Sequence, residues 1–434
     1  MAKKETKKRK RDSVTKESYL IHGMARTKKW DYSHHVVPPL SASVTYRLES
    51  VERGNLGFEQ FSKLHSQALK KGPTYLYDRL DEPTRSMLED QLAFVEDGEV
   101  GFCFATGMAA ISAAMCFDLK MGDEILIHKT LYGCTYSLST NWLPRFGIKV
   151  KYLDFTNLKD FEENINPKVK FVYFETPANP TMEIVDMEAV VKIVEKENKK
   201  RKKADRIKTA VDNTFATPRC QRPLNWGIDM SINSLTKNIG GFGTDMGGAI
   251  VTSREYENDI MLYRKDFGGV LGSKNAWPIL VYGLSTLVDR GKKQEATAIK
   301  VAKFLEGHPK IGTVAYPGLK SHPHHKIARK QMVDFDGNFA PGNMIYFSLK
   351  DDKEAKCNKL LNYIADNAYT ITLAVSLGHI RTLIEKPGSL THSMIPEEEQ
   401  AEAKMAKSGV RLSIGLENAD DILNDLDDAL KKLR

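Results

Sequence analysis

One lysine stands beside residue types that together could hold a phosphate-bearing aldehyde. Ser234 and Thr236 come just before Lys237, and Gly240-Gly241 comes shortly after it. Two hydroxyl groups in a loop can bind a phosphate, and a lysine that is desolvated or lies beside another cation becomes an amine nucleophile. A polar surface loop has the same composition, so this stretch leaves both interpretations open.

Four other polar motifs each follow an apolar segment. The turn at Gly107-Met108 begins a helix, whose free N–H groups bind anions. Tyr132 could stack on a flat heterocycle, and Asn179 is held between prolines. Asp212 ends an apolar strand, where a protonated pyridine nitrogen would keep it ionised. Each motif alone also fits ordinary packing, a loop, a proline turn or a cap, but their combination and order favour a cofactor site.

The elements that position these motifs alternate between strand and helix from about residue 85. Short buried strands separated by helices predict an α/β fold with a mostly parallel sheet between helices. Ligands bind such sheets at the carboxyl ends of the strands, where these motifs lie. The predicted strands are 101–104, 124–128, 149–153, 170–174, 208–211, 230–233 and 248–252, and the predicted helices include 86–96, 108–117 and 187–197.

The sequence predicts four segments. Residues 1–17 form a disordered basic tail, 18–84 an N-terminal arm, 85–285 the large domain, and 286–434 a smaller C-terminal α+β domain. A long helix is predicted after about residue 275, through Leu280 to Leu305, with strands at 344–349 and 369–375 and a closing helix at 419–433.

Composition and charge narrow the class of protein. Of the net charge of +8, residues 3–11 and 196–208 each contribute +6, so the rest of the 434-residue chain carries about −4. The positive charge thus lies in a tail and a loop, so the body is not a nucleic-acid-binding surface by composition, and a nucleic-acid-binding role would belong to the tail alone. The five cysteines form no CxxC pair, and the longest nearly apolar run, 107–117, is too short to span a bilayer. We expect a cytoplasmic protein with no membrane partner, and the sequence predicts no metal site.

In this order, the motifs resemble the Cys/Met-metabolism (trans-sulfuration) family of enzymes that depend on pyridoxal 5′-phosphate (PLP) and have fold type I. The resemblance covers roughly residues 75–434. It implies that Lys237 binds PLP as a Schiff base, that Asp212 pairs with the ring nitrogen, and that Tyr132 stacks on the ring. It further implies phosphate contacts from Ser234, Thr236, Gly107 and Met108, and a ring-hydroxyl contact from Asn179.

The resemblance extends to the substrate and to the assembly. Ser376 and Arg411 lie in late motifs that imply binding of the α-carboxylate of an amino-acid substrate, for which the planar guanidinium is suited. Tyr77 and Arg79 match a pair that reaches the phosphate of a neighbouring subunit. We therefore expect a homotetramer, a dimer of dimers, with active sites shared across the dimer.

Within the family, Cys134 and Val375 look most like methionine γ-lyases. The implied reaction is elimination of the γ-substituent of L-methionine, or of homocysteine or cystathionine, to give 2-oxobutyrate, ammonia and a thiol. Lys237, Tyr132 and Cys134 are the expected catalytic residues, with the pKa of Tyr132 lowered by nearby cations so that it exchanges protons near the leaving sulfur.

A γ-replacement transferase, either a cystathionine γ-synthase or an O-acetylhomoserine sulfhydrylase, is the alternative. Departures from the family pattern at Glu82, Tyr282 and residues 386–392 bear on this choice. A dinucleotide oxidoreductase fits less well, because Met246 stands where a GxGxxG motif starting at Gly241 needs glycine.

Overall fold

The computed structural model describes residues 14–23, 35–59 and 75–433. Most of the predicted tail and parts of the predicted arm lie outside these ranges. None of the helices formed by the described residues is long and apolar enough to cross a membrane. These helices are α1 Lys16–His22, α2 Val51–Glu59, α3 Pro83–Val95, α4 Gly107–Cys116, α5 Gly133–Asn141, α6 Leu158–Glu163, α7 Met187–Asn198, α8 Thr217–Cys220, α9 Glu257–Phe267, α10 Ser273–Pro278, α11 Leu287–Gly307, α12 His325–Gln331, α13 Glu354–Asn367, α14 Glu397–Glu402 and α15 Ala419–Lys431.

The larger sheet has seven strands in the order β1-β7-β6-β5-β4-β2-β3. Only β7 runs antiparallel to its neighbours, so the predicted mostly parallel sheet between helices is confirmed. The strands are β1 Val100–Phe104, β2 Glu124–His128, β3 Lys149–Leu153, β4 Val169–Glu175, β5 Lys208–Asp212, β6 Met230–Ser234 and β7 Gly248–Thr252.

Burial on both faces explains why these strands are almost continuously apolar. In β2, Ile125 and Ile127 pack with α4 in one core, whereas Leu126 packs in a second core with Phe174 and residues of α7. Alternate side chains of a strand point to opposite faces, so each face needs its own apolar set. Polar residues are thereby left for the strand ends, where the sheet meets the cavity described below.

The smaller sheet has the order β10-β11-β12-β9-β8 and packs against α11, α13 and α15. Its strands are β8 Ile311–Ala315, β9 Met344–Leu349, β10 Ile371–Leu373, β11 Thr382–Glu385 and β12 Val410–Ser413. All strands of the larger sheet precede the predicted domain boundary at 285/286, and all strands of the smaller sheet follow it. The boundary itself stays a prediction.

The predicted long helix after about residue 275 is wrong in its continuity, because α10 and a π-helical segment at Ile279–Leu284 are separated from α11, which begins at Leu287. Ser285 and Thr286 interrupt the helix. The Ser285 hydroxyl donates to the carbonyl of Val281 at 2.5 Å, and the Thr286 hydroxyl donates to the carbonyl of Tyr282 at 2.6 Å. Such side-chain bonds compete with the helical backbone pattern.

The predicted strand 369–375 is shorter than expected and spans only Ile371–Leu373. At its start, the N–H of Thr370 is bound by the Asp425 carboxylate at 2.7 Å. After the end of this strand, Ser376 has a φ of 95°, which residues other than glycine rarely adopt. The backbone turns at this residue, which lines the cavity described below.

The basic stretch 196–208 is largely neutralised by acidic neighbours. Lys196 pairs with Glu162 at 2.7 Å and Lys203 with Glu255 at 2.9 Å. Because these charges are matched on the protein itself, the stretch forms an ion-paired surface loop.

Candidate active site

A cavity of about 280 Å³ lies at the carboxyl ends of β4, β5 and β6, and it is completed by Arg411 of the smaller sheet and by residues 375–377 and Thr391 that connect its strands. Ten of the thirteen predicted site residues line it, although they are widely separated in sequence. They are Gly107, Met108, Tyr132, Asn179, Asp212, Ser234, Thr236, Lys237, Ser376 and Arg411.

Lys237 presents its amine to this cavity from a tight turn that follows β6. Its Nζ donates a 2.8 Å hydrogen bond to Ser376 Oγ. Burial and the positive charge of Arg411 lower the pKa of Lys237 to about 8. About a tenth of the amine is therefore neutral, and nucleophilic, at pH 7.

The start of α4 and the end of β6 form a cradle. A Cβ added to Gly107 would come 3.0 Å from the Cβ of Ser234, which is tighter than an ordinary contact, so glycine eases the close approach of the two segments. The Ser234 N–H donates to Thr214 Oγ1 at 2.8 Å. Thr236 Oγ1 accepts the N–H of Gly247 at 3.1 Å, which fixes the second hydroxyl. Free N–H groups at the helix start and two positioned hydroxyls make an anion site.

Asp212 ends β5 in a buried setting. Its Oδ1 accepts the N–H of Thr214 at 2.9 Å, and its Oδ2 accepts the hydroxyl of Tyr173 at 3.5 Å. Burial raises the pKa of Asp212 above its ordinary value. A cationic ring nitrogen placed against it would offset that burial and favour the ionised carboxylate.

Arg411 is the centre of a buried polar cluster. Its guanidinium donates to Asn179 Oδ1 at 2.9 Å and to the carbonyl of Ser376 at 3.0 Å. The same guanidinium lies 2.5 Å from the Glu385 carboxylate. These acceptors fix the fork of Arg411 at the edge of the cavity, in the manner of a carboxylate-binding arginine.

Tyr132 lies on another wall, and Cys134 touches it without lining the cavity. Cys134 Sγ donates to the Tyr132 hydroxyl at 3.3 Å. The expectation that nearby cations lower the pKa of Tyr132 is wrong in this structure, because burial and Cys134 raise that pKa above its ordinary value. The phenol is thus protonated at neutral pH, which makes it a proton donor.

Tyr77 and Arg79 do not line the cavity of their own chain. The Arg79 guanidinium donates to the carbonyl of Lys265 at 2.7 Å and lies 5.6 Å from the centre of the Tyr77 ring. Tyr77 is 39% exposed. Their predicted contact with a neighbouring subunit stays a prediction.

Sequence reasoning gave no role to three residues of the site. Glu175 ends β4, and its two oxygens accept the N–H of Tyr132 at 2.7 Å and of Asn179 at 3.3 Å. Thr214 supports both Asp212 and Ser234. Glu175 lies close to Asn179 in sequence, and Thr214 lies two residues after Asp212, so the sequence motifs around those residues could have pointed to both. Glu385 carried no such local signal, because only the pairing of β11 with β12 brings it to Arg411.

Comparisons with known proteins agree with this geometry. The family model described as Cys/Met metabolism PLP-dependent enzyme matches residues 17–431. The L-methionine γ-lyase of Fusobacterium nucleatum subsp. polymorphum is 41% identical over 397 residues, which are 91% of this chain and 93% of that protein. The chain belongs to the Cys/Met-metabolism family of PLP-dependent enzymes.

Two further comparisons support this assignment. The cystathionine γ-lyase of Bacillus subtilis is 35% identical over 83% of this chain and 89% of its own length. The crystal structure of cystathionine γ-lyase from Lactobacillus plantarum, complexed with L-serine, has a TM-score of 0.82 at 30% identity and covers 97% of this chain and 99% of that one. Together the comparisons support a PLP-dependent carbon–sulfur lyase of sulfur amino-acid metabolism, as the sequence predicts.

PLP is the cofactor of this family, and the residues of the cavity fit it. The cradle of Gly107, Ser234 and Thr236 suits the phosphate, and Asp212 suits the ring nitrogen. Lys237, with its lowered pKa, suits the aldehyde carbon.

Proposed function

We propose that the chain eliminates the γ-substituent of L-methionine, or of homocysteine or cystathionine, to give 2-oxobutyrate, ammonia and a thiol. The observation that carries the proposal is the position of the Lys237 amine, hydrogen-bonded to Ser376 in the cavity that Arg411 borders. An amine of low pKa beside a carboxylate-binding arginine suits chemistry at the α-carbon of an amino acid.

Binding would begin at the carboxylate. The guanidinium of Arg411 would donate hydrogen bonds to the carboxylate, and the Ser376 hydroxyl would donate to the same group. Bound PLP supplies the electron sink that this chemistry needs, with Asp212 as the partner of its ring nitrogen. Tyr132 would cover the ring face, and Asn179 would lie near the ring hydroxyl.

Proton transfer falls to two residues at opposite ends of the substrate. Lys237, once neutral, would take the proton from the α-carbon and return it further along the chain. Tyr132, which its raised pKa keeps protonated, would donate to the departing thiolate. Cys134, bonded to the Tyr132 hydroxyl, would set the orientation of that donor.

The mouth of the cavity favours an apolar substituent. Val375 and Met246 both line it and are 57% and 60% exposed. An apolar wall suits the thioether of methionine and offers no partner to the distal ammonium of cystathionine. Further relatives that bear the name L-methionine γ-lyase include those of Treponema denticola and Porphyromonas gingivalis.

The assembly and location form part of the proposal. The position of Tyr77 and Arg79 outside their own cavity suits a homotetramer, a dimer of dimers in which each pair completes the phosphate site of its neighbour. All five cysteines are free thiols, which supports a reducing compartment such as the cytoplasm.

Two incubations test the activity. We expect the purified holoenzyme to release 2-oxobutyrate, ammonia and methanethiol from methionine, and to form little homocysteine from O-acetylhomoserine and sulfide. Lys237→Ala should abolish both turnover and the visible absorbance of bound PLP, whereas Lys274→Ala, at an exposed lysine, should change neither. A protein that is inactive on methionine but joins sulfide to O-acetylhomoserine is the alternative γ-replacement transferase.

A further inference from the structure

Two proposed cofactor residues have buried polar neighbours that point away from the cavity. Asn213 follows Asp212, and Asn233 precedes Ser234. Successive residues of a strand face opposite sides of its sheet, so these asparagines lie behind the site. Both side chains are at most 1% exposed.

A single carboxylate oxygen holds both asparagines. Glu96, which caps the end of α3 and is fully buried, accepts the Asn233 side-chain amide at 2.6 Å through Oε1. The same oxygen accepts the Asn213 amide at 3.2 Å and the Ser231 hydroxyl at 3.0 Å. The ends of β5 and β6 are thus fixed relative to each other at one point behind the cavity.

The hydrogen bonds continue to the end of β4. The Gln221 side-chain amide donates to Asn213 Oδ1 at 3.1 Å and to the carbonyl of Thr176 at 2.7 Å. Thr176 directly follows Glu175, whose carboxylate holds the backbones of Tyr132 and Asn179. Three adjacent strand ends that carry site residues are therefore joined on their far side.

Stability alone does not account for this arrangement. Burial raises the pKa of Glu96, although its bonds from Asn213, Asn233 and Ser231 favour the ionised form. Glu96 Oε2 has no hydrogen-bond partner among the residues that the structure describes. A buried carboxylate of this kind costs free energy, and apolar residues of similar volume would fill the space at less cost.

We infer that Glu96 is a positioning residue of the PLP site. It fixes Asp212 through Asn213 and Ser234 through Asn233, and so sets the distance between the group that meets the ring nitrogen and the group that meets the phosphate. This inference rests on the roles proposed for Asp212 and Ser234. Glu96 itself does not line the cavity.

The test compares the dissociation constant of PLP among holoenzyme variants, followed through the loss of visible absorbance on dilution. Glu96→Ala removes the shared acceptor and should raise that constant at least tenfold. Glu96→Gln keeps an acceptor oxygen in place and should restore it to within threefold of the wild type. Asp97→Ala is the matched control, because Asp97 is the next residue but pairs with Lys16 and Arg222 instead. Asp97→Ala should lower the melting temperature and leave the dissociation constant of PLP within twofold of the wild-type value.

Unchanged PLP affinity in Glu96→Ala overturns the inference, as does an equal loss in Glu96→Ala and Asp97→Ala. If Glu96→Ala does not fold, Ser231→Ala decides, since it removes one of the three donors at little cost in volume. It should weaken PLP binding two- to fivefold, and wild-type affinity would then overturn the inference. Asp212→Ala separates the two levels. Unchanged PLP affinity in Asp212→Ala contradicts the proposed role of Asp212. If PLP affinity is weakened in Asp212→Ala but unchanged in Glu96→Ala, only the inference about Glu96 is contradicted.

Discussion

Glu385 lies directly across a strand pair from Arg411, with a carboxylate oxygen 2.5 Å from the guanidinium. Their side chains are 1% and 2% exposed, so each charge depends on the other for neutralisation. Arg411 is thereby oriented before any substrate arrives. In the proposed binding of the substrate carboxylate by Arg411, Glu385 would reduce the positive charge that the carboxylate meets, and we expect this to ease release of the product acid.

Arg411→Leu should destabilise the holoenzyme by about 3–5 kcal/mol, because it leaves the Glu385 carboxylate buried without its cation. The double variant Arg411→Leu/Glu385→Gln should recover most of that loss in urea unfolding. Arg411→Lys, which keeps a charge but lacks the fork, should instead raise the KM for methionine at least tenfold. Equal stability of the single and double variants would show that the pair is not coupled.

The lowered pKa of Lys237 predicts a pH profile for cofactor uptake. Only the neutral amine attacks an aldehyde, so PLP uptake by PLP-free enzyme should rise about tenfold per pH unit below 8 and level off above it. Arg411→Met removes a neighbouring positive charge and should move the midpoint to higher pH, whereas Arg411→Lys should leave it near 8. Stopped-flow absorbance measures these rates, and a flat profile between pH 6 and 8 would contradict the assignment.

Val375 offers a test of substrate preference. Val375→Glu places a carboxylate at the mouth of the cavity, where it attracts the distal ammonium of cystathionine. Methionine has no such ammonium, and any repulsion of the α-carboxylate is common to both substrates. We expect the ratio of kcat/KM for cystathionine to that for methionine to rise at least tenfold. Val375→Gln, of the same length but uncharged, should move the ratio much less. If this ratio is similar in Val375→Glu and Val375→Gln, the effect comes from the size of the new side chain and not from its charge.

Glu82, one of the departures from the family pattern, is a buried helix cap. Its carboxylate accepts the N–H groups of Thr84 and Arg85, and burial raises its pKa to about 7 despite the nearby Arg85. An acid whose folded pKa lies above its unfolded pKa lowers stability as pH rises from about 4.5 to about 7. Glu82→Asn keeps a favoured cap without the charge. It should therefore add up to about 3 kcal/mol of unfolding free energy at pH 8 and little at pH 5; equal effects at both pH values would exclude this cause.

Shared active sites predict complementation between two inactive variants. Lys237→Ala lacks the nucleophile, and Arg79→Ala lacks the residue offered to the neighbour. In a mixed dimer one site receives both intact residues, so refolding the two together in equal amounts should restore about a quarter of wild-type activity. Each variant refolded alone supplies the control. Full activity of Arg79→Ala alone would contradict the shared site.

The sequence was most informative where a polar residue ends an apolar strand. Asp212 was found in this way, because such a position is costly in a core and must be explained by a ligand or a cap. Lys237 and Asn179 were found in motifs that follow strands, through the neighbouring hydroxyls and the flanking prolines. Glu385 and Glu96 were not predicted from the sequence, because their partners come from elements that are distant in sequence. The break before Leu287 was also missed, because Ser285 and Thr286 end the helix through side-chain bonds that helical periodicity does not register. For Tyr132, proximity to cations was foreseen, but the degree of burial that governs its pKa was not.

The antiparallel strand β7 has a consequence for the order of events during synthesis. Phe104 of β1 pairs with Gly248 of β7, and β6 pairs with the other edge of β7. Because β7 lies between β1 and β6, sheet pairing joins the two sides of the Gly107–Ser234 cradle only after β7 has been synthesised. A nascent chain that ends between Lys237 and Gly248 has the lysine proposed to bind PLP but lacks this pairing, so we expect stable capture of the cofactor to follow the synthesis of β7.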